Sequence, residues 1–256
     1  MARTSNNGGN RSVFFSFNPV LGWLYESSAE NDAKLAEIRA KFDPDEWKKG
    51  FTGNSGLTAD ARKAARELGL KDERLSGDIV AAYYSEGKDE QRKIVFPRIR
   101  VKIVDAEADE SYLVTLPLTR RNGQMLVQKL IAVEPGEHVT LTAFSTLSDN
   151  GYANDTVSLK DGNGKEIKGP EGLFKQANDV ANDKVAKLDS EDKEDREIVG
   201  RTRSKAFFSF HKKLLDEQVA PKFEAYGKTD TAADDKAASS GAPAGGFDSM
   251  DDEIPF

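Results

Sequence analysis

The chain has 256 residues, 38% of them apolar and 32% charged, with a mean hydropathy of −0.61 and a formal net charge of −7. That length holds one sizeable domain or two small ones with flexible ends, and it excludes a large multidomain enzyme. With no cysteine and only His138 and His211, disulfides, thiolate catalysis and cysteine zinc sites are excluded, and transition metals or imidazole bases have almost nothing to use.

Residues 1–10 are polar and read as a flexible arm, followed by an apolar run over 12–25. Leu35, Ile38 and Phe42 stand at helical spacing, Asp43-Pro44 is a helix start, and Thr58 is suited to cap a helix ending at Gly69. Asp78 reads the same way, as the cap of a helix carrying Ile79, Val80, Tyr83 and Tyr84, and Trp47 reads as a helix-to-core anchor. From residue 93 the pattern changes to runs broken by turn chemistry, the mark of strands. The expected strands are 93–104, 111–119, 124–133, 137–147 and 156–160, with a short return at Glu166. Asn122-Gly123 predicts a hairpin turn, Glu134-Pro135-Gly136 a second turn and residues 161–164 a third. After Pro170, the apolar residues Leu173, Phe174, Ala177, Val180, Ala181, Val185 and Leu188 follow a helical period, then come a charged run over 189–197 and a last element over 205–226. Phe-Phe-Ser-Phe occurs at 14–17 and again at 207–210, which reads as two buried segments of one core. The expected fold class is α+β: an OB-like antiparallel β-barrel, elaborated by helices on both sides, in a domain spanning 11–226.

Residues 227–256 hold two basic against seven acidic residues in a background of Ala, Ser, Gly and Pro. Such a segment cannot bury enough apolar area to offset the entropy of ordering, so a disordered acidic C-terminal tail is expected. It ends in Asp251, Asp252, Glu253, Ile254, Pro255 and Phe256. This end, with the Gly/Ala/Ser/Asp linker before it, resembles the tip of bacterial single-stranded-DNA-binding proteins, in which aspartates precede a final Ile-Pro-Phe. Glu253 stands where that family most often has Asp.

The resemblance implies docking. The Phe256 ring and α-carboxylate would enter a basic-rimmed apolar pocket on replication, recombination or repair proteins, with Pro255 and Ile254 giving shape and Asp251, Asp252 and Glu253 steering. A pre-stiffened proline and one aromatic anchor keep the ordering cost of such a motif low. The helical beginning and late strands make phage replication proteins, which pair an OB-type domain with an acidic Phe-terminated tail, the closer architectural analogy.

A face for single-stranded DNA needs cations along a groove with aromatics between them. Alternation over 93–104 places Val95, Ile99, Val101 and Ile103 inward and Phe96, Arg98, Arg100 and Lys102 outward. Over 137–147 it places Val139, Leu141 and Leu147 inward and Thr140, Thr142, Phe144 and Thr146 outward. Arg120 and Arg121 crown the expected hairpin, Lys129 lies on its return strand and Tyr152 sits in a later loop. The cations are expected to neutralise phosphates, and Phe96, Phe144 and Tyr152 to stack on bases with low sequence specificity.

Enzyme signatures are poor. There is no Gly-x-x-x-x-Gly-Lys-Ser/Thr phosphate loop. Lys165 occupies a position where a calcium loop beginning at Asp161 would need an oxygen ligand, and Asp105, Glu107, Asp109 and Glu110 read as a charged hairpin loop. The expectation is a non-catalytic protein with no metal or cofactor. No run reaches the roughly 18 apolar residues of a membrane span, and the start lacks a secretory apolar stretch, so a cytoplasmic location is expected, the host cytoplasm if a phage encodes it. Two rival readings are an adaptor or decoy that captures replication proteins through the tip without touching DNA, and a nucleic-acid-processing enzyme targeted by it.

Overall fold

In the first apolar run Val13, Phe15 and Phe17 are buried while Phe14 is 39% exposed, the two-residue period of a strand. In the computed structural model, which describes residues 11–89, 94–186 and 193–227, this run is β1 (Arg11–Asn18), paired antiparallel with β2 (Trp23–Glu26). Only the inward half of the first Phe-Phe-Ser-Phe is core. In the second copy Phe207, Phe208 and Phe210 are half-buried on a helix. The β1–β2 turn is fixed by Asn18, whose Oδ1 accepts the Val20 and Leu21 N–H groups at 2.9 Å each. Gly22 closes it at φ +65°, where an added Cβ would lie 2.7 Å from the Phe51 ring, so the turn requires glycine.

Three helices follow: α1 (Ala29–Arg39), α2 (Pro44–Lys48) and α3 (Gly56–Glu67). Ser28 caps α1 and Asp43 caps α2 through their side-chain oxygens. Thr58 lies inside α3 and does not cap it. Its hydroxyl donates to the Val20 carbonyl at 3.1 Å, tying α3 to the β1–β2 turn. Trp47, 2% exposed, is the anchor its sequence suggests and packs with Trp23, Tyr25, Ile38 and Ala61 in a cluster beside the main core.

The strands β3 (Leu75–Asp89), β4 (Ile94–Asp105) and β5 (Glu110–Pro117) form an antiparallel meander. The expected helix behind Asp78 is therefore a strand. A register shift between Ile79 and Ala81 puts the buried Ile79 and Ala82 three residues apart, and a bulge of this kind imitates a helical period. Asp78 instead accepts from His138 Nδ1 at 2.9 Å.

The expected hairpin at Asn122-Gly123 is the first turn of α4 (Arg121–Leu130). Leu126, Val127 and Leu130 are fully buried, a helical grouping that outweighs the turn signal. An added Cβ on Gly123 would lie 2.2 Å from the Pro117 carbonyl oxygen, so the glycine serves close approach to β5.

The strands β6 (His138–Leu147) and β7 (Ala153–Asp161) pair from Val139↔Asp161 to Leu147↔Ala153. The other edge of β6 meets β3 through Leu75–Asp78 and β2 through Trp23↔Phe144. With β1 parallel to β5, the pairings run β2-β1-β5-β4-β3-β6 and return to β2, closing a ring in one seven-stranded sheet with β7 outside it. The fold is thus mixed α+β. Two residues expected inward are exposed, Val95 at 48% and Leu147 at 44%, because both lie at the ends of strands. The turn at 161–164 is as expected, with Asp161 Oδ1 accepting the Asn163 and Lys165 N–H groups, and Glu166 makes the short return as a bridge to Lys160.

The C-terminal layer comprises α5 (Leu173–Val185), α6 (Lys193–Leu214), a π-helical turn (Leu215–Val219) and α7 (Ala220–Gly227). Leu214, Leu215, Val219 and Phe223 enter the main core. Pro221 has no N–H for the α-helical ladder, which accounts for the wider turn before it. No helix among the described residues is long and apolar enough to cross a membrane.

His211 is fully buried in this layer. Its Nδ1 donates to the Phe207 carbonyl at 2.7 Å, and its Nε2 accepts from the Gln128 amide at 2.8 Å. Burial outweighs the Phe207 bond and holds its pKa below the ordinary imidazole value. The unfolded chain therefore binds a proton that the folded chain refuses. The resulting stability is complete above about pH 6.5 and is lost as pH falls towards the folded-state pKa. An NMR titration is expected to find the His211 ring neutral, with its proton on Nδ1, at a pH where free imidazole is half charged.

Candidate nucleic-acid interface

The pairing registers assemble the outer face of the meander row by row. Residues opposite one another share a face. One row runs Phe14, Leu113, Lys102 and Ala81, the next Ser16, Thr115, Arg100 and Tyr83, and the third Pro117, Arg98 and Ser85, followed by Phe96 beside Gly87. Rows recur about every 6.8 Å, two residues along a strand. Ile99, Val101 and Ile103 point into the core at 1% exposure or less, so Phe96, Arg98, Arg100 and Lys102 lie outward as their alternation predicts. Phe14 and Tyr83 join them, which sequence reasoning missed. Phe14 was legible in the Val13, Phe15, Phe17 alternation, whereas Tyr83 was hidden by the bulge.

The cations are half-buried. The Arg98 guanidinium carbon lies 5.9 Å from the Phe96 ring centroid and above Gly87, where an added Cβ would come within 2.5 Å of it. Glycine at 87 thus leaves the space that the guanidinium fills. Arg100 Nε and Ser85 Oγ are both buried without a hydrogen-bond partner. They sit on neighbouring strands one row apart, and such donors are costly to leave unpaired.

Beside these rows lies a groove of about 170 Å³, lined by Ser16, Phe17, Pro19, Val95, Phe96, Pro97, Arg98, Thr115, Pro117, Thr119 and Arg120. Arg120 precedes α4 and its Nη1 reaches Asp155 Oδ2 on β7 at 3.2 Å. Ser145 Oγ donates to the other oxygen of Asp155 at 2.6 Å, so the groove wall is braced against the β6–β7 hairpin. Tyr152 stands at the tip of that hairpin, 55% exposed, in a turn closed by Ser148.

The remaining expected residues lie elsewhere. Arg121 opens α4 with its guanidinium carbon 5.2 Å from the Phe174 ring centroid, not on a hairpin. Phe144 is half-buried opposite Trp23 on β2, apart from the β4 rows. Lys129 is 8% exposed on the core side of α4, where its ammonium bonds Glu166 and the Ile167 carbonyl. That placement removes it from the surface. Burial raises the Glu166 pKa, but the Lys129 and Ser158 hydrogen bonds outweigh it and hold the carboxyl below its usual range. Asp251, Asp252, Glu253, Ile254, Pro255 and Phe256, with the arm at 1–10, lie outside the described residues. Among the described residues no group of three or more His, Asp or Glu side chains is placed to hold a metal ion.

Since Lys129 is tied into α4 packing, Lys129→Ala is expected to lower unfolding stability by about 1–3 kcal/mol, the cost of stranding charge-assisted bonds. Urea denaturation measures this, and a stability change below about 0.5 kcal/mol would mean that the buried pair holds nothing together. No protein-family model matches the chain and no curated protein is similar to it, so the chemistry of this face rests on its own residues.

Proposed function

We propose that the chain is a non-catalytic, sequence-nonspecific single-stranded-DNA-binding protein, and that the outer face of β4 and its neighbours is the binding surface. The observation carrying this reading is the set of stacked rows in which Arg98, Arg100 and Lys102 alternate along one strand among Phe14, Tyr83 and Phe96. Cations along a groove supply phosphate neutralisation, and aromatic faces accept any base. The partnerless Arg100 Nε and Ser85 Oγ add donors suited to phosphate oxygens.

The closed ring supports a finer reading as an OB-like barrel. In chain order β3, β4, β5, α4, β6 and β7, the last outside the ring, run as three strands, a helix and two strands. In that fold the second and third strands, with the loops joining strands one to two and four to five, bind oligonucleotides. Here those strands are β4 and β5, and the later loop carries Tyr152. The N-terminal β1–β2 hairpin is an addition that completes the ring. The acidic end, through Phe256, recruits replication, recombination or repair proteins and competes with DNA for the basic face.

Fluorescence titration of the full chain with single- and double-stranded oligonucleotides at several salt concentrations tests this reading. Joint replacement of Arg98, Arg100 and Lys102 by Ala is expected to flatten the slope of log K on log salt by about 2, at about 0.7 per lost phosphate contact. An unchanged slope removes β4 from the site. Gly87→Ala is expected to weaken binding in the same direction as Arg98→Ala, because its methyl displaces the guanidinium. Deleting 248–256 is expected to raise DNA affinity, most at low salt where screening is weak, and to abolish partner capture. Phe256→Ala should abolish capture alone.

A further inference from the structure

Two cavities flank the β1–β2 turn. One is the groove that includes Pro19. The other, about 410 Å³, lies between β2 and α3 and is lined by Trp23, Arg62, Arg66, Leu70, Lys71 and Asp72. Trp23 lies four positions after Pro19, a span of at most about 14 Å.

In the second cavity three cations accompany one carboxylate. Arg62 is fixed, with its Nε donating to the Leu21 carbonyl at 2.7 Å and its guanidinium carbon 5.2 Å from both the Trp23 and Phe51 ring centroids. Arg66, one helical turn along α3, holds its guanidinium 5.9 Å from the Trp23 centroid. Like charges at this spacing oppose each other on a helix. Burial disfavours the Arg62 charge, Asp72 offsets part of that, and Arg66 adds to it. Trp23 itself is 3% exposed, and its indole Nε1 is buried with no hydrogen-bond partner. An indole N–H can only donate. A buried donor beside two guanidinium groups lacks one thing, an anionic acceptor.

We propose that this cavity is a phosphate subsite, occupied by the backbone of single-stranded nucleic acid passing around the β1–β2 turn from the β4 groove. The occupant rests on the function proposed above, whereas the oxyanion chemistry rests on the cavity alone. Guanidinium forks match phosphate oxygens in bidentate geometry, and Lys71 adds a point charge. The Trp23 and Phe51 rings already carry Arg62, so they are not free to stack on bases, which makes this a backbone contact. The volume leaves room for a sugar beside the phosphate.

The chain has two tryptophans, so the indole N–H region of its NMR spectrum reads the site directly, with the Trp23 resonance assigned by its loss in Trp23→Phe. Inorganic phosphate, titrated against chloride at constant ionic strength, is expected to shift the Trp23 resonance saturably and leave that of Trp47 in place. Arg66 and Lys71 are exposed, so the double variant Arg66→Ala/Lys71→Ala should fold normally and lose the response. The same variant is expected to bind a long oligonucleotide about fivefold more weakly at 0.1 M salt, with a slope shallower by about 0.7 for one lost phosphate contact. On this proposal a tetranucleotide occupies the β4 face alone, so it should bind the variant as it binds the parent chain. A Trp23 resonance unmoved by phosphate overturns the subsite whatever the chain does with DNA. Equal losses for long and short oligonucleotides, or none for either, overturn the backbone assignment. A resonance that moves with an Asp-rich peptide and not with phosphate overturns it in favour of an acidic protein segment. A chain that binds no oligonucleotide yet answers to phosphate refutes the DNA function and this occupant, and upholds the oxyanion site.

Discussion

Closure of the sheet through the β1–β2 hairpin is the constraint on which the rest of the structure depends. β1 lies parallel to β5, and Ser12 and Ser111 hydroxyls meet at 3.1 Å across 99 residues of sequence. β2 then reaches β6 through Trp23↔Phe144, with the Ser145 N–H donating to the Gly22 carbonyl at 3.1 Å. Without this insertion β5 would present an open edge of unpaired backbone groups. The turn that permits it is tight because Asn18 satisfies two of its N–H groups and Gly22 adopts a conformation other residues resist. Pairings of such long separation form late and slowly in folding.

The same hairpin divides the surface chemistry. On one side of its turn the outer rows of β1, β5, β4 and β3 bring Phe14, Tyr83 and Phe96 among Arg98, Arg100 and Lys102. On the other, α3 brings Arg62 and Arg66 over Trp23. In both places guanidinium groups lie on aromatic rings, where partial loss of water strengthens the attraction. Both also hold a buried donor without a partner, Arg100 Nε with Ser85 Oγ in the first and Trp23 Nε1 in the second. Buried donors of this kind concentrate where a bound group completes the hydrogen bonding. Lys129 is the contrast: it is equally basic, yet Glu166 and a backbone carbonyl satisfy it inside the fold.

How much was legible depended on how local the signal was. The alternation in β4 is local, so its inward and outward residues could be assigned from sequence, except Val95 at its exposed start. Asp43-Pro44 and the turn at Asp161 are likewise self-contained. Asn122-Gly123 misled because the same dipeptide serves a hairpin turn and the first turn of α4. The choice was made by burial of Leu126, Val127 and Leu130 against strands distant in sequence. The bulge in β3 misled in the opposite direction, because one extra residue converts a two-residue period into an apparent helical one.

By itself the sequence determined the α+β class, the basic stripe of Arg98, Arg100 and Lys102, and the acidic composition of residues 227–256. Each of these follows from composition or from neighbours within a few residues. Only the tertiary structure decided which aromatics stand beside that stripe, that Lys129 belongs to the core, and that Arg62 and Arg66 share a cavity with Trp23. The reason is physical. A strand's own period says which side a residue takes, but what lies next to it on that side is set by the register of other strands. Register is settled by packing the whole ring at once.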